Sequence, residues 1–103
     1  ELLARVPAGE EVPSVILLRL AKEHYDNDEM DQAKKLLDRT LSDNPEEAIA
    51  YYMRGLAELN LNEVDNARAD IERFLELAPE HSQAAAARDV LSYLPPPAEG
   101  AEQ

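Results

Sequence analysis

Apolar residues recur along this chain at helical spacing, in four stripes separated by short polar breaks. Leu17, Leu20, Ala21 and Tyr25 fall on one helical face, and the polar run Asp26-Asn27-Asp28 ends it. Met30, Ala33, Leu36, Leu37 and Leu41 mark a second helix. Ala48, Tyr51, Tyr52, Gly55, Leu56 and Leu59 form the third stripe, and Asn60-Leu61-Asn62 is the turn after it. Val64, Ala67, Ile71, Phe74, Leu75 and Ala78 form the fourth. No alternating pattern competes with this one, so the pattern predicts an all-α chain.

The stripes are copies of each other. Residues 14–45 lie over residues 48–79 without a gap, at a period of 34. Identical pairs are Glu29/Glu63, Asp31/Asp65, Ala33/Ala67, Arg39/Arg73, Leu41/Leu75 and Pro45/Pro79. A third, partial copy maps Ala50 to Ala84 and Arg54 to Arg88, then stops at Pro95-Pro96-Pro97. The expected organisation is therefore the end of an upstream helix and a linker over 1–13, one repeat over 14–45, a second over 46–79, a capping helix over 80–94 and a disordered Pro-rich tail over 95–103. Asn44-Pro45-Glu46-Glu47 reads as an Asn N-cap, a Pro at the first helical position and acids in the first turn. Ser82 reads as the N-cap of the last helix.

The 34-residue helix–turn–helix period, with small residues where helices cross, resembles the tetratricopeptide repeat family. That family has Gly or Ala in the first helix (Ala21 and Gly55), Ala opposite it in the second (Ala33 and Ala67), a closing Pro (Pro45 and Pro79) and a large residue early in the first helix (Leu17 and Tyr51). The resemblance covers residues 14–94 and implies two repeats plus a capping helix, a fragment of a right-handed α-solenoid. There are departures. His24 and Glu58 stand where the family has an aromatic residue, and Thr40 and Phe74 where it has Ala. Phe74 has a physical counterpart in Ala84-Ala85-Ala86-Ala87, whose small side chains leave volume for the ring.

In this family the first helices of the repeats line a concave groove that holds a peptide or a partner helix. The resemblance places Val15, Leu18, Arg19, Lys22 and Tyr25 from the first repeat in that groove, with Ile49, Tyr52, Met53, Leu56 and Leu59 from the second and Gln83 and Ala86 from the last helix. The groove is expected to be apolar. Tyrosine and methionine suit such a surface, one being amphipathic and the other adaptable. A stripe of this kind equally serves as core, so two other uses stay open: packing against the chain's own upstream segment, as part of a larger multidomain protein, or weak homodimerisation. A clamp for a C-terminal carboxylate, as some family members carry, is not expected. Arg19 and Lys22 would supply half of it, but Met53 and Leu56 occupy the matching positions of the second repeat.

Charge narrows the partner. Twenty-two acidic residues face ten basic ones, a net charge of −12, and only Lys22, Lys34 and Lys35 are lysines. This field repels nucleic acid and anionic lipid and favours a basic protein partner, though it serves solubility as well. No run approaches the roughly 18 apolar residues of a membrane span. The first residues lack a signal-peptide pattern, so the expected compartment is the cytoplasm. The start at Glu1 without an initiator Met reads as a processed or excised chain.

Chemistry-bearing patterns are sparse. The absence of cysteine excludes disulfides, thiol catalysis and Cys-based metal sites. His24 and His81 are far apart in sequence, and a lone His on a helix reads as packing or surface. The cluster Asp26, Asp28, Glu29, Asp31 lacks the Gly and closing Glu of a calcium loop and reads as a solvated inter-helix turn with N-cap acids. The three glycines are isolated, so no phosphate loop forms. Arg68, Glu72 and Glu76 read as charges on an exposed face. The sequence thus points to a binding module with no cofactor, not to an enzyme.

Overall fold

The computed structural model describes residues 12–95. They form five helices: α1 (Ser14–Asp26), α2 (Met30–Asp43), α3 (Ala48–Asn60), α4 (Val64–Leu77) and α5 (Ala84–Tyr93). Each helix packs on its neighbours in sequence, and α1 also touches α3. The α1–α2 and α3–α4 pairs are the two repeats and α5 is the cap. The readings of 1–11 as a helix end and linker, and of 96–103 as tail, lie outside the described residues.

Within each pair the connecting turn is the same device. Asp28 and Asn62, one repeat apart, take φ of 63° and 65°. Asp and Asn tolerate this left-handed conformation better than most residues. The amide after each donates back across the turn, Glu29 N–H to the His24 carbonyl at 2.7 Å and Glu63 N–H to the Glu58 carbonyl at 2.8 Å. Those bonds satisfy helix-end carbonyls and reverse the chain tightly.

Small residues set how close the helices come. Gly55 in α3 faces α4, where a Cβ would sit 2.8 Å from Ile71 Cγ1 and 3.3 Å from the Ala67 carbonyl. Ala21, Ala33 and Ala67 are fully buried. Larger residues then interlock around these crossings in two clusters. One joins Leu17 and Ala21 with Leu36, Leu37, Leu41 and Ala50 across α1, α2 and α3. The other joins Tyr52, Ile71, Phe74 and Ala87 across α3, α4 and α5.

Phe74 confirms the volume argument. It is fully buried, its ring stacks on Tyr52 at 5.0 Å between centroids, and His81 meets its edge at 5.3 Å. Ala84 and Ala87 are the alanines of α5 that are buried. Thr40, the other departure, is also fully buried, and its hydroxyl donates to the Leu36 carbonyl at 2.9 Å, which removes the cost of an unpaired polar group.

Three local readings are corrected. Asn44 does not cap α3, which begins at Ala48 after Glu47. Asn44-Pro45-Glu46-Glu47 is a separate turn, closed by the Glu47 amide donating to the Asn44 carbonyl at 3.1 Å and tied to the helix by Tyr51 Oη donating to the Pro45 carbonyl at 2.8 Å. Ser82 does not cap α5 either, which begins at Ala84; the Gln83 amide instead donates to His81 Nδ1 at 3.0 Å. Nor do the acids before α2 and α4 cap by side chain: Glu29 and Glu63 occupy those positions without a capping hydrogen bond, their carboxylates being drawn to His24 and Lys34.

Candidate binding groove

The inner helices α1 and α3 border an open cleft of about 360 Å³. From α1 it is lined by Ala21, Lys22, Tyr25 and Asp26, and from α3 by Ile49, Tyr52, Met53 and Leu56. Leu37 of α2 reaches it from below, and Gln83, just before α5, closes one side. Leu37 is itself a core residue, 1% exposed, at the floor of the cleft. Most of the lining is hydrocarbon, and Lys22, Asp26 and Tyr25 among its polar groups have hydrogen-bond partners.

Those partners fix the walls. Lys22 Nζ donates to Asp26 Oδ2 at 2.8 Å, one turn along α1, and this hydrogen bond followed by the charge of Asp26 raises the lysine pKa. Asn60 Nδ2 donates to Tyr25 Oη at 3.1 Å and to the Leu56 carbonyl at 3.0 Å, which ties α1 to the end of α3 across the cleft. Tyr52 is held by its stack on Phe74 and is almost wholly buried; burial first, and Tyr25 second, raise its phenol pKa. His81, packed on Phe74, positions the Gln83 backbone.

The structure thus brings together Lys22, Tyr25, Ile49, Tyr52, Met53, Leu56 and Gln83 at one cleft. The other expected groove residues lie elsewhere. Val15 is 62% exposed on the first turn of α1, and Arg19 and Ala86 are exposed away from the lining. Leu18 packs against the first core cluster and Leu59 against the second. The lining comes from the last turns of α1 (Ala21 to Asp26) and from the earlier turns of α3 (Ile49 to Leu56), so of the equal repeat positions only Lys22 and Leu56 both meet there. Asp26 and Leu37 line the cleft although the sequence placed one in a turn and the other in the core.

A second polar feature lies behind the groove, between α2, α3 and α4. Arg54 donates through Nε and Nη2 to both oxygens of Asp70, each at 2.8 Å, and through Nη1 to Asp38 of α2 at 3.0 Å. Lys34 of α2 reaches Glu63 at 2.7 Å and Glu58 at 3.4 Å. Glu58 is 3% exposed and its Oε1 has no hydrogen-bond partner. Burial first, and the neighbouring Asp70 second, push its pKa up to about 8 against the pull of Lys34. Two facing carboxylates can only accept; a proton on Glu58 makes one of them a donor.

The consequence for stability has a definite sign. The folded chain holds the Glu58 proton more tightly than the unfolded chain, whose value is 4.5. The stabilisation is complete below that value and is lost as pH rises towards about 8. Urea unfolding of the native chain should therefore show stability declining across this window, and Glu58→Gln should flatten the decline. Equal slopes in the two proteins would contradict this.

Arg68 corrects another reading. Its Nε and Nη2 are buried and have no hydrogen-bond partner, so it is not an exposed-face charge. The register explains why. Lys34, at the same position one repeat earlier, meets Glu58 and Glu63, whose counterparts after Arg68 are Ser92 and Pro97. Neither carries a carboxylate. His24 is a packing residue, as one of its two readings expected, 5% exposed with Nδ1 2.7 Å from Glu29.

The sequence pattern of the tetratricopeptide repeat matches residues 18–82, more than half of the chain, and the chain belongs to that family. Domains of this family are generally protein–protein interaction modules and typically non-catalytic, and no catalytic family is matched. No curated protein and no solved structure matches the chain. Among the described residues no helix is long and apolar enough to cross a membrane, and no group of three or more His, Asp or Glu side chains is placed to hold a metal ion.

Proposed function

We propose that the cleft between α1 and α3 binds a segment of another protein, a peptide or helix that inserts apolar side chains and carries basic residues beside them. The observation that carries this reading is the open apolar cleft itself, walled by Ile49, Met53 and Leu56 on one side and Tyr25 on the other. Burying one leucine-sized side chain there contributes about 2 kcal/mol, so a few anchors give useful affinity before polar contacts are counted. Lys22 does not form a carboxylate clamp, because Asp26 already holds it and Arg19 lies outside the lining. The net charge of −12 selects for basic flanks and speeds their encounter at low salt.

A random peptide library displayed on phage and panned against the chain tests this. Enriched peptides should share apolar anchors with flanking Lys or Arg. Leu56→Glu, which puts a charge into the cleft, should weaken them by tenfold or more, with retained helical content showing that its packing on the second core cluster is not what was lost. Undiminished binding by that variant would place the peptide site elsewhere.

A further inference from the structure

Two walls of the cleft are held by one side chain that does not line it. Gln83 closes the cleft on one side, and its backbone amide donates to His81 Nδ1 at 3.0 Å. Tyr52, part of the α3 wall, stacks on Phe74 at 5.0 Å, and the His81 ring packs in a T shape on Phe74 at 5.3 Å.

The hydrogen bond fixes the protonation state it needs. A backbone N–H can only donate, so Nδ1 is bare and the neutral ring carries its proton on Nε2. The second proton that a histidine takes up in mildly acid solution then goes to Nδ1. Two N–H groups face each other, and the bond is lost. His24, the other histidine, makes no such demand. Its Nδ1 lies 2.7 Å from a Glu29 carboxylate oxygen, which also accepts from a protonated ring.

What the bond holds is the approach to α5, a helix that starts without a side-chain cap. The Gln83 carbonyl accepts from the Ala87 amide at 2.9 Å, and the His81 carbonyl from the Ala84 amide at 2.9 Å. Phe74, the α4 residue that meets the ring, is uncharged, with the Tyr52 phenol of α3 behind it. The charges about the turn are Glu80, the Arg73–Glu76 pair of α4 at 3.1 Å, and on α5 Asp89 and Arg88, which donates to the Pro79 carbonyl at 2.8 Å. Across the cleft Lys22 and Asp26 pair with each other. These groups set where the ring titrates but not what titration does, since Gln83 requires the bare nitrogen.

We infer that His81 is a pH latch on the cleft: the neutral ring holds Gln83 as a wall, and the protonated ring releases that wall and the first turn of α5, so that peptide binding weakens. The latch rests on the cleft being the peptide site and adds its control.

The test uses a synthetic copy of the most enriched panning peptide, made without His, Asp or Glu so that its own charge stays constant. Its affinity for the 103-residue chain should be about threefold to tenfold weaker at pH 5.5 than at pH 7.5, the worth of one lost hydrogen bond. Asparagine offers an oxygen that accepts at either pH, so His81→Asn should lose this difference; titration of the carboxylates is common to both proteins. In the free chain, the Gln83 amide resonance and its exchange rate should follow the His81 ring nitrogens through one titration. The latch is overturned if the Gln83 amide does not follow the ring, or if His81→Asn weakens at pH 5.5 as the native chain does. Failure of the cleft reading is separate: Leu56→Glu would then bind as well as the native chain at pH 7.5, and the latch would have no cleft to control.

Discussion

Phe74→Ala is expected to lower stability by about 3–5 kcal/mol and the melting temperature by roughly 15–25 °C. Phe74 has the largest side chain that is fully buried, and three separate elements close on its ring. Tyr52 of α3 stacks on it, His81 from the α4–α5 turn meets its edge, and Ala87 of α5 shares its cluster. Collapse around the cavity is limited because Ala87, the buried α5 member of that cluster, has no longer side chain to swing inward. The cap should loosen first, so amide exchange in α5 should accelerate more than in α2. The groove should suffer too, since Tyr52 loses the surface that holds it. A calorimetric shift under about 5 °C would show that the helices do close the space.

The second large effect is expected at Arg54. Arg54→Met keeps the hydrocarbon stem but leaves Asp70 and Asp38 without their shared cation. Breaking a fully buried pair costs roughly 3–5 kcal/mol; a loss of about 2–3 kcal/mol is expected at pH 7 because part of the Arg54 side chain still reaches water. The guanidinium pKa is raised first by the hydrogen bond to Asp70, so the arginine stays charged throughout. Lowering the pH should recover part of the loss as the carboxylates take up protons. Combining Arg54→Met with Asp70→Asn should be less harmful than the sum of the two, and additive losses in this double-mutant cycle would mean the contact carries no coupling.

Much of the fold was legible because helical packing writes a period into the chain. The four stripes gave α1 to α4 and their pairing, and the spacing of Pro45 and Pro79 gave the repeat. Phe74 against an alanine-rich helix was legible as a volume match between two segments. Helix starts were not. Asn44-Pro45 and Ser82 carry capping chemistry, but Tyr51 and His81 recruit those turns for other hydrogen bonds, and such partners become neighbours only after folding.

The groove was half legible for a similar reason. Repeat positions locate Lys22, Tyr25, Ile49, Tyr52, Met53 and Leu56 on inner helices, and these do meet at the cleft. Val15, Leu18, Arg19, Leu59 and Ala86 share those helix faces in projection and still fall outside it. The Arg54 network was missed because its members are 16 residues apart on three helices, and each alone reads as a surface charge.

The sequence by itself determined the number, order and pairing of the helices, because periodicity and small crossing residues are local properties that survive any detail of packing. It also determined family membership and the net acidity. Only the tertiary structure decided which side chains the cleft exposes, where each helix begins, and which charges are buried. Those outcomes depend on distances between residues far apart in the chain, and equal repeat positions such as Lys34 and Arg68 meet different neighbours.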